Sequence, residues 1–345
     1  MMCVEKASLP RKRLPFVDTT KGLLIVFLVF HHIVNMAKDK MPIDNLNNIT
    51  DWDILYVPYF MQAFFFITGY CSSFNKKAKA FIYSNAKSLL IPLVSFCIIN
   101  QFVSWLIDGD NFFFVTVLGK RFFFVTELYW FLSALFIAKM LLFIITKCTS
   151  KPIVQFILVL IPFVVAISLN TSHFHAYNFF HWHNGLVNLM FLWIGYTFKQ
   201  HGLLSEKKGK YGIISLVLYL IGLVLCVILG KNIPYYTHFP HFNFKYTPLF
   251  VYFSLTGTIM TLYIGKMIQH NRILSFLGKN TIVVYGIHFS VLNIVILLLS
   301  CLFIPSSHIE GLVFYLITGG VTLFISYFFC LLFQKKPFTY LIGKF

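Results

Sequence analysis

The chain has 345 residues, of which 58% are hydrophobic and only 11% charged, and its mean hydropathy is +0.79. Soluble domains carry about 25% charged residues, so this composition excludes a soluble globular protein and predicts a polytopic membrane protein. The net charge of +17 does not indicate nucleic-acid binding. The basic residues lie in short segments between apolar runs, and no basic domain is available to follow a phosphate backbone.

Ten apolar segments are long enough to be predicted membrane spans, and we expect an all-α fold with no soluble domain. The first follows a basic stretch without a small-residue cleavage site, which favours a retained span over a secretory signal. The aromatic stretch 111–126 is too short to span and is predicted to lie at the interface or to re-enter the membrane. The ten segments are 21–38, 54–74, 88–107, 128–147, 152–169, 184–199, 211–230, 247–268, 280–304 and 311–333.

The distribution of basic residues predicts the orientation. With both termini in the cytoplasm, 21 of the 28 Lys and Arg residues fall on the cytoplasmic side and 6 on the other, while Lys139 lies inside a span. This asymmetry follows the positive-inside rule and supports ten spans with an N-in, C-in topology. We expect a single domain over 1–345, with a basic cytoplasmic N-terminus at 1–20 and a cytoplasmic tail at 334–345.

The first span carries the most informative polar residues. Lys21 and His32 are eleven residues apart, which places them on one helix face about 16 Å apart along the axis, with His32 near mid-membrane. Asn35 shares this face, Asp18 lies close to it, and His31 points about 100° away. An ionisable group at this depth predicts a functional site, although a histidine that only bonds to a neighbouring helix is the alternative.

Other ionisable groups are predicted at a similar depth. Thr281, Tyr285 and His288 form one polar face of the ninth span, and Lys139 lies about 12 Å from the same side of the membrane. We expect a funnel that opens to the cytoplasm, with His32 at its floor and Lys21 and Lys87 attracting a phosphate-bearing donor at its mouth. A structural role for His288 and snorkelling of Lys139 to the headgroups remain open.

The predicted external segments 170–184 and 231–246 are rich in aromatic and histidine residues. Aromatic faces with neutral polar groups suit sugar rings, whereas an interfacial aromatic belt is the alternative reading. His183 belongs to a histidine group that fits no metal-site spacing, and the seven cysteines show no CxxC pair. We therefore predict no metal site and no disulfide framework.

Several motifs occur in an order that resembles the acyltransferase-3 family of integral membrane O-acyltransferases. They are Asp18-Thr-Thr-Lys21-Gly22 followed by His32, Phe-Phe-Phe-Ile-Thr-Gly-Tyr ending at Tyr70, Lys87-Ser-Leu-Leu-Ile-Pro92, Tyr129-Trp130-Phe131-Leu132, and Gly278-Lys-Asn-Thr281 leading to Tyr285 and His288. The chain departs from the family pattern in having Lys21 instead of the commoner Arg, Thr68 instead of Ser, and Lys87 with Ser84 instead of an Arg pair. Lysine cannot make the planar two-pronged contact of arginine, so donor binding must differ in detail.

The resemblance implies transfer of an acyl group, acetyl in the simplest case, from cytoplasmic acyl-CoA as co-substrate to a hydroxyl of a surface or lipid-linked saccharide. His32 would act as the general base, or as a transient acyl carrier. Asp18, Lys21, Lys87 and Lys139 would bind the donor. The cavity and the acceptor side would involve His31, Asn35, Tyr70, Trp130, His183, Tyr285 and His288.

The resemblance places such a protein in the inner membrane of a bacterium. It implies no permanently bound cofactor, and its partners would be acyl-CoA, the saccharide and the lipid bilayer. A transporter of polysaccharides or small molecules that uses the same cavity is the alternative function. Transporters often contain inverted repeats, and no repeat stands out in this sequence. A structural or receptor role is a third possibility.

Overall fold

In a computed structural model, residues 14–38, 40, 55–109, 127–169, 179–204, 210–229 and 247–345 are described. They form eleven α-helices and no strand, which confirms the predicted all-α class. The helices are α1 Pro15–Lys38, α2 Phe60–Cys71, α3 Ala78–Asp108, α4 Trp130–Cys148, α5 Pro152–Ser168, α6 Trp182–Gln200, α7 Lys210–Ile228, α8 Thr247–Met267, α9 Arg272–Lys279, α10 Thr281–Leu302 and α11 His308–Leu332.

Seven of these helices are long and apolar enough to cross a membrane: α1, α3, α4, α7, α8, α10 and α11. An integral, multi-pass membrane protein is therefore confirmed. Each of the ten predicted segments falls on a helix, but α2, α5 and α6 do not meet the same criteria of length and hydropathy. The count of ten spans and the N-in, C-in topology stay predictions. The segments 1–13, 111–126, 170–178 and 231–246 lie outside the described residues.

Several helix boundaries differ from the prediction, and α1 begins at Pro15, six residues before its predicted start. Helix α3 begins at Ala78, ten residues before the predicted start, because Ala and Lys sustain a helix outside an apolar run. Helix α2 begins only at Phe60, and the residues before it form a turn that contains Pro58. The short helix α9 was not predicted, since its eight residues are too few to span and it reads as a loop by hydropathy.

Helix α1 is the centre of the bundle, because it packs against α2, α8, α9, α10 and α11. Its side chains Leu24, Ile25, Leu28 and Val29 are at most 2% exposed. The helix that carries Lys21 and His32 is thus held on most of its sides by other helices, which fixes the direction in which its polar side chains point.

Glycines allow two pairs of helices to touch through their backbones. A Cβ atom added to Gly22 of α1 would overlap the Leu274 carbonyl of α9, and one added to Gly278 of α9 would overlap the Asp18 carbonyl of α1. Gly69 and Gly195 make the same reciprocal arrangement between α2 and α6. Such close approach is typical of membrane helices, where small residues let backbones come together.

Candidate active site

The two histidines at similar predicted depth meet in the structure. The ring centroids of His32 on α1 and His288 on α10 are 5.2 Å apart, and both rings pack on Phe289, at 4.6 Å and 4.1 Å. His32 is half-buried, whereas His288 is 0% exposed. We call these two residues the histidine pair.

The hydrogen bond of His288 fixes the position of one of its protons. Its Nδ1 lies 2.6 Å from the Tyr285 carbonyl oxygen, one helical turn back. A carbonyl oxygen can only accept, so Nδ1 must be the N–H donor in this contact. The second ring nitrogen, Nε2, is buried and has no hydrogen-bond partner within the described part of the chain. In the neutral ring it is a hydrogen-bond acceptor.

Aromatic rings form a wall beside the histidine pair. Tyr285 lies 5.9 Å from the His288 ring, 5.7 Å from Phe131 and 5.8 Å from Tyr129, measured between centroids. Trp130, half-buried at the start of α4, packs edge-on against Phe131 at 6.3 Å. The predicted site residues Trp130, Tyr285 and His288 thus belong to one continuous cluster that reaches His32.

Two hydrogen bonds hold α10 in place around this cluster. The Tyr129 hydroxyl donates to the Gly286 carbonyl oxygen at 2.7 Å, and the Ser290 hydroxyl donates to Asn100 Oδ1 of α3 at 3.1 Å. These bonds bracket His288 on both sides along the helix. They restrict α10 from sliding or rotating, so the histidine pair is carried on a rigid support.

Three lysines gather near the N-terminal end of α1. Lys139 on α4 is within electrostatic range of both Lys21 on α1 and Lys76, which precedes α3. The chain has only 11 acidic residues against 28 basic ones, so little negative charge is available to neutralise them. We call Lys21, Lys76 and Lys139 the lysine cluster. Like charges held together favour binding of an anion.

Asp18 and Lys87 are engaged differently from the lysine cluster. Asp18 is 6% exposed, and its backbone carbonyl faces Gly278 at the contact between α1 and α9. The Lys87 ammonium lies 4.0 Å from the centroid of the Phe345 ring, and the Lys87 carbonyl abuts Gly343. The C-terminal segment therefore folds back onto α3 and covers the position where Lys87 was predicted to meet the donor.

Of the four other predicted residues, His31 adjoins the histidine pair through its ring contact with His32, whereas Asn35, Tyr70 and His183 lie elsewhere. The His31 ring contacts the ring of its neighbour His32, and its centroid lies 5.7 Å from that of Phe60 on α2. Asn35 is exposed one turn further along α1. Tyr70 packs edge-on to Phe16 near the lysine-bearing end of α1, at 6.2 Å. His183 is 2% exposed and bonds through Nε2 to the Ala166 carbonyl at 2.5 Å, which joins α6 to α5.

Sequence reasoning missed Lys76, Tyr129 and Phe289 as members of the site. Tyr129 stands next to Trp130 in a quoted motif, and Phe289 directly follows His288, so proximity to recognised residues was the available signal. Lys76 reads as an ordinary loop charge, and only the fold brings it to Lys139. Within the described ranges, no three metal-ligating side chains gather in one place.

A comparison with protein families matches most of the chain. The family model of the acyltransferase-3 acyltransferase domain matches residues 14–331, from the start of α1 to the end of α11. The chain belongs to the acyltransferase-3 family. As a member of that family it is a membrane acyltransferase, which requires an acyl donor, an acceptor and the lipid bilayer. No curated protein and no solved structure matches the chain.

Proposed function

We propose that this acyltransferase moves an acyl group, acetyl in the simplest case, from cytoplasmic acyl-CoA to a hydroxyl of a surface or lipid-linked saccharide, with His32 as general base. The observation that carries the proposal is the position of His32. It is half-buried on the central helix, against a second imidazole, and on the helix that begins at the lysine cluster.

The reaction needs one base and no redox chemistry. His32 takes the proton from the acceptor hydroxyl as the oxygen bonds to the thioester carbonyl carbon. The carbon–sulfur bond then breaks, and the proton passes from His32 to the departing sulfur, which gives an ester, a free CoA thiol and neutral His32. Direct transfer suits this site because it needs a single neutral imidazole between the two substrates.

The lysine cluster supports acyl-CoA as the donor. CoA carries several negative charges on its phosphates, and ammonium groups bind phosphates through charge-assisted hydrogen bonds. Lys21 and His32 lie about 16 Å apart along one face of α1. A long donor could therefore keep its phosphates at the lysine cluster while its thioester reaches the imidazole. Asp18 would order this end of α1, and Lys87 would bind the donor only after leaving Phe345.

The aromatic wall supports a saccharide as the acceptor. Sugar rings present CH faces that pack on aromatic side chains, and the half-buried Trp130 and Phe131 provide such faces, with the buried Tyr285 behind Phe131 linking them to the histidine pair. The histidine-rich and aromatic segments on the predicted outer side would lead the acceptor to the site.

We further propose that the chain is a single domain in a bacterial inner membrane, with the lysine cluster on the cytoplasmic side.

The substitution His32→Ala tests the proposal directly. We expect acyl transfer to fall by about 10²–10⁴-fold in kcat, the usual contribution of a general base. Binding of acyl-CoA should be unchanged, because the lysine cluster is intact. The purified variant is assayed for free CoA thiol release with a saccharide acceptor, and donor binding is measured by calorimetry.

His201→Ala is the matched control, since His201 is an exposed histidine at the end of α6. It should retain the activity of the wild-type protein. Full acyl transfer by His32→Ala with normal donor binding contradicts the role of His32. Translocation of unmodified saccharide, without any effect of acyl-CoA, supports the transporter alternative instead.

A further inference from the structure

The unpartnered nitrogen of His288 calls for a physical explanation. A buried hydrogen-bond acceptor without a partner destabilises a fold, and such groups are uncommon in native proteins. His288 is 0% exposed, its Nδ1–H is engaged with the Tyr285 carbonyl, and its Nε2 has no partner among the residues that the structure describes. The ring cannot turn to satisfy Nε2 without breaking the bond at Nδ1.

One neighbour with a suitable donor is His32, whose ring lies closer to His288 than the ring of Tyr285 does, at 5.2 Å against 5.9 Å between centroids. Phe289 packs on both rings but has no polar hydrogen to offer. The ring centroids of the histidine pair are 5.2 Å apart. At that separation the facing edges of two imidazoles can come within about 2.9 Å, the length of an ordinary hydrogen bond. The two ring planes are tilted by 37°, so an N–H of His32 has to come close to the plane of the His288 ring to reach Nε2.

We propose that His288 is a positioning residue: its Nε2 accepts a hydrogen bond from one ring nitrogen of His32 during catalysis and leaves the other nitrogen of His32 unprotonated toward the acceptor hydroxyl. This inference rests on the proposed role of His32 as base. In this arrangement a neutral histidine holds the base in one tautomer and orientation, which is the task that a carboxylate performs in a serine-protease triad. Because the Tyr285 carbonyl fixes the tautomer of His288, the tautomer of His32 is fixed in turn.

The proton balance follows from this arrangement. The hydroxyl proton moves to the free nitrogen of His32, and the resulting imidazolium keeps its other N–H on His288 Nε2. The proton then leaves with the CoA sulfur. His288 gains and loses no proton at any step, and it stays bonded to the Tyr285 carbonyl throughout.

Three variants separate positioning from packing. His288→Phe keeps an aromatic ring against Phe289 but removes Nε2, and we expect kcat to fall at least 30-fold with the KM values for both substrates within threefold of wild type. His288→Gln offers an amide oxygen near the position of Nε2 and should restore kcat to within about tenfold of wild type. Asn293→Ala removes another buried, unpartnered acceptor on the same helix and should leave kcat unchanged.

The kinetic outcomes decide the proposal. A raised KM for the acceptor with unchanged kcat in His288→Phe would make His288 an acceptor-binding residue and overturn it. Equal loss in the Phe and Gln variants would also overturn it, because restoring an acceptor would then have no effect. Thermal unfolding of each purified variant shows which variants have kept their fold. Only folded variants enter the kinetic comparison with the wild-type protein.

A spectroscopic measurement decides the proposal independently of activity. With ¹⁵N-labelled histidine, the signals of His32 are assigned by their loss in His32→Ala. We expect one His32 tautomer in the wild-type protein and a mixture in His288→Phe. Unchanged tautomer populations would overturn the positioning role even in an active enzyme. A wild-type protein without acyl transfer but with the expected tautomer shift would contradict the proposed function alone.

Discussion

At the scale of single residues, the lysine cluster is the part of the site whose chemistry can be read most directly. Lys21, Lys76 and Lys139 come from three distant parts of the chain. Lys21 and Lys76 both lie within electrostatic range of Lys139. Lys76 donates to the Ser84 hydroxyl at 3.4 Å in an exposed contact between two nearby residues. The Lys199 ammonium instead donates to the Ser72 carbonyl oxygen at 3.0 Å and thereby joins α6 to the segment after α2. The cluster therefore suits a ligand, whereas Lys199 serves the fold.

Replacing one cation of the cluster should weaken donor binding without affecting the chemical step. For Lys139→Met and Lys76→Met we expect the KM for acyl-CoA to rise about three- to tenfold, as loss of one charged contact implies, with kcat within twofold. Steady-state kinetics at low and high salt provides the measurement. High salt should reduce the difference between wild type and variant.

Lys335→Met is the control for this experiment, because Lys335 is exposed after α11 and is not among the charges near Lys139. Its KM should match that of the wild-type protein. An unchanged KM for acyl-CoA in both cluster variants would rule out the cluster as the donor site.

The residues of the site were predictable to different degrees. The depth of His32 and His288 within their spans already suggested that they could meet, because helix rise converts residue number into distance. The proximity of Lys76 to Lys139 was not predictable, because the charge of Lys76 alone does not show which helix lies next to it in the fold. The engagement of Lys87 with Phe345 depends on how the C-terminal segment folds back, which has no local signal in the sequence.

At the scale of helices, the reciprocal glycine contacts explain two of the motifs that carry the family resemblance. Gly22 follows Lys21, and Gly278 precedes Lys279. Their backbones meet between α1 and α9, so neither position has space for a side chain. These glycines are needed for close packing of the helix that carries His32, and no role in the chemistry has to be invoked for them.

Substitution of Gly278 by Ala should therefore destabilise the protein. The added methyl would overlap the Asp18 carbonyl, and because backbone cannot move aside as a side chain can, we expect a loss of at least about 1–3 kcal/mol. The melting temperature in detergent should fall by several degrees, and acyl transfer should fall with it, since α1 is displaced. Scanning fluorimetry measures the first effect.

Gly320→Ala tests whether any helical glycine would behave in this way. A Cβ at Gly320 meets nothing within 4 Å, so this variant should be as stable as wild type or slightly more stable. Equal melting temperatures for Gly278→Ala and Gly320→Ala would show that the α1–α9 contact is not tight.

Helix positions were largely predictable because apolar runs mark the part of each helix that faces lipid or core. Hydropathy could not reveal the parts of a helix that extend beyond its apolar run, such as the polar first turns of α3. Nor could it reveal a short helix such as α9. It also could not reveal that α1 lies at the centre of the bundle. That arrangement depends on packing between helices far apart in sequence.

At the scale of the whole molecule, the membrane orientation decides whether the proposed substrates can reach the site. The lysine cluster lies near the end of α1 that the distribution of basic residues assigns to the cytoplasm. We expect a fluorescent protein fused to the C-terminus to fold and fluoresce, and a periplasmic reporter enzyme at the same position to be inactive. The opposite result would place the lysine cluster away from cytoplasmic acyl-CoA.

The contact between α1 and α9 also has a consequence for how the protein is made. The helix with His32 is synthesised long before α9, which packs against Gly22 and begins at Arg272, after more than three quarters of the 345 residues. Until then the first helix must remain in the bilayer without its tightest neighbour. A polypeptide released early from the ribosome would contain His32 but lack both α9 and His288, so the candidate site can form only late in biogenesis.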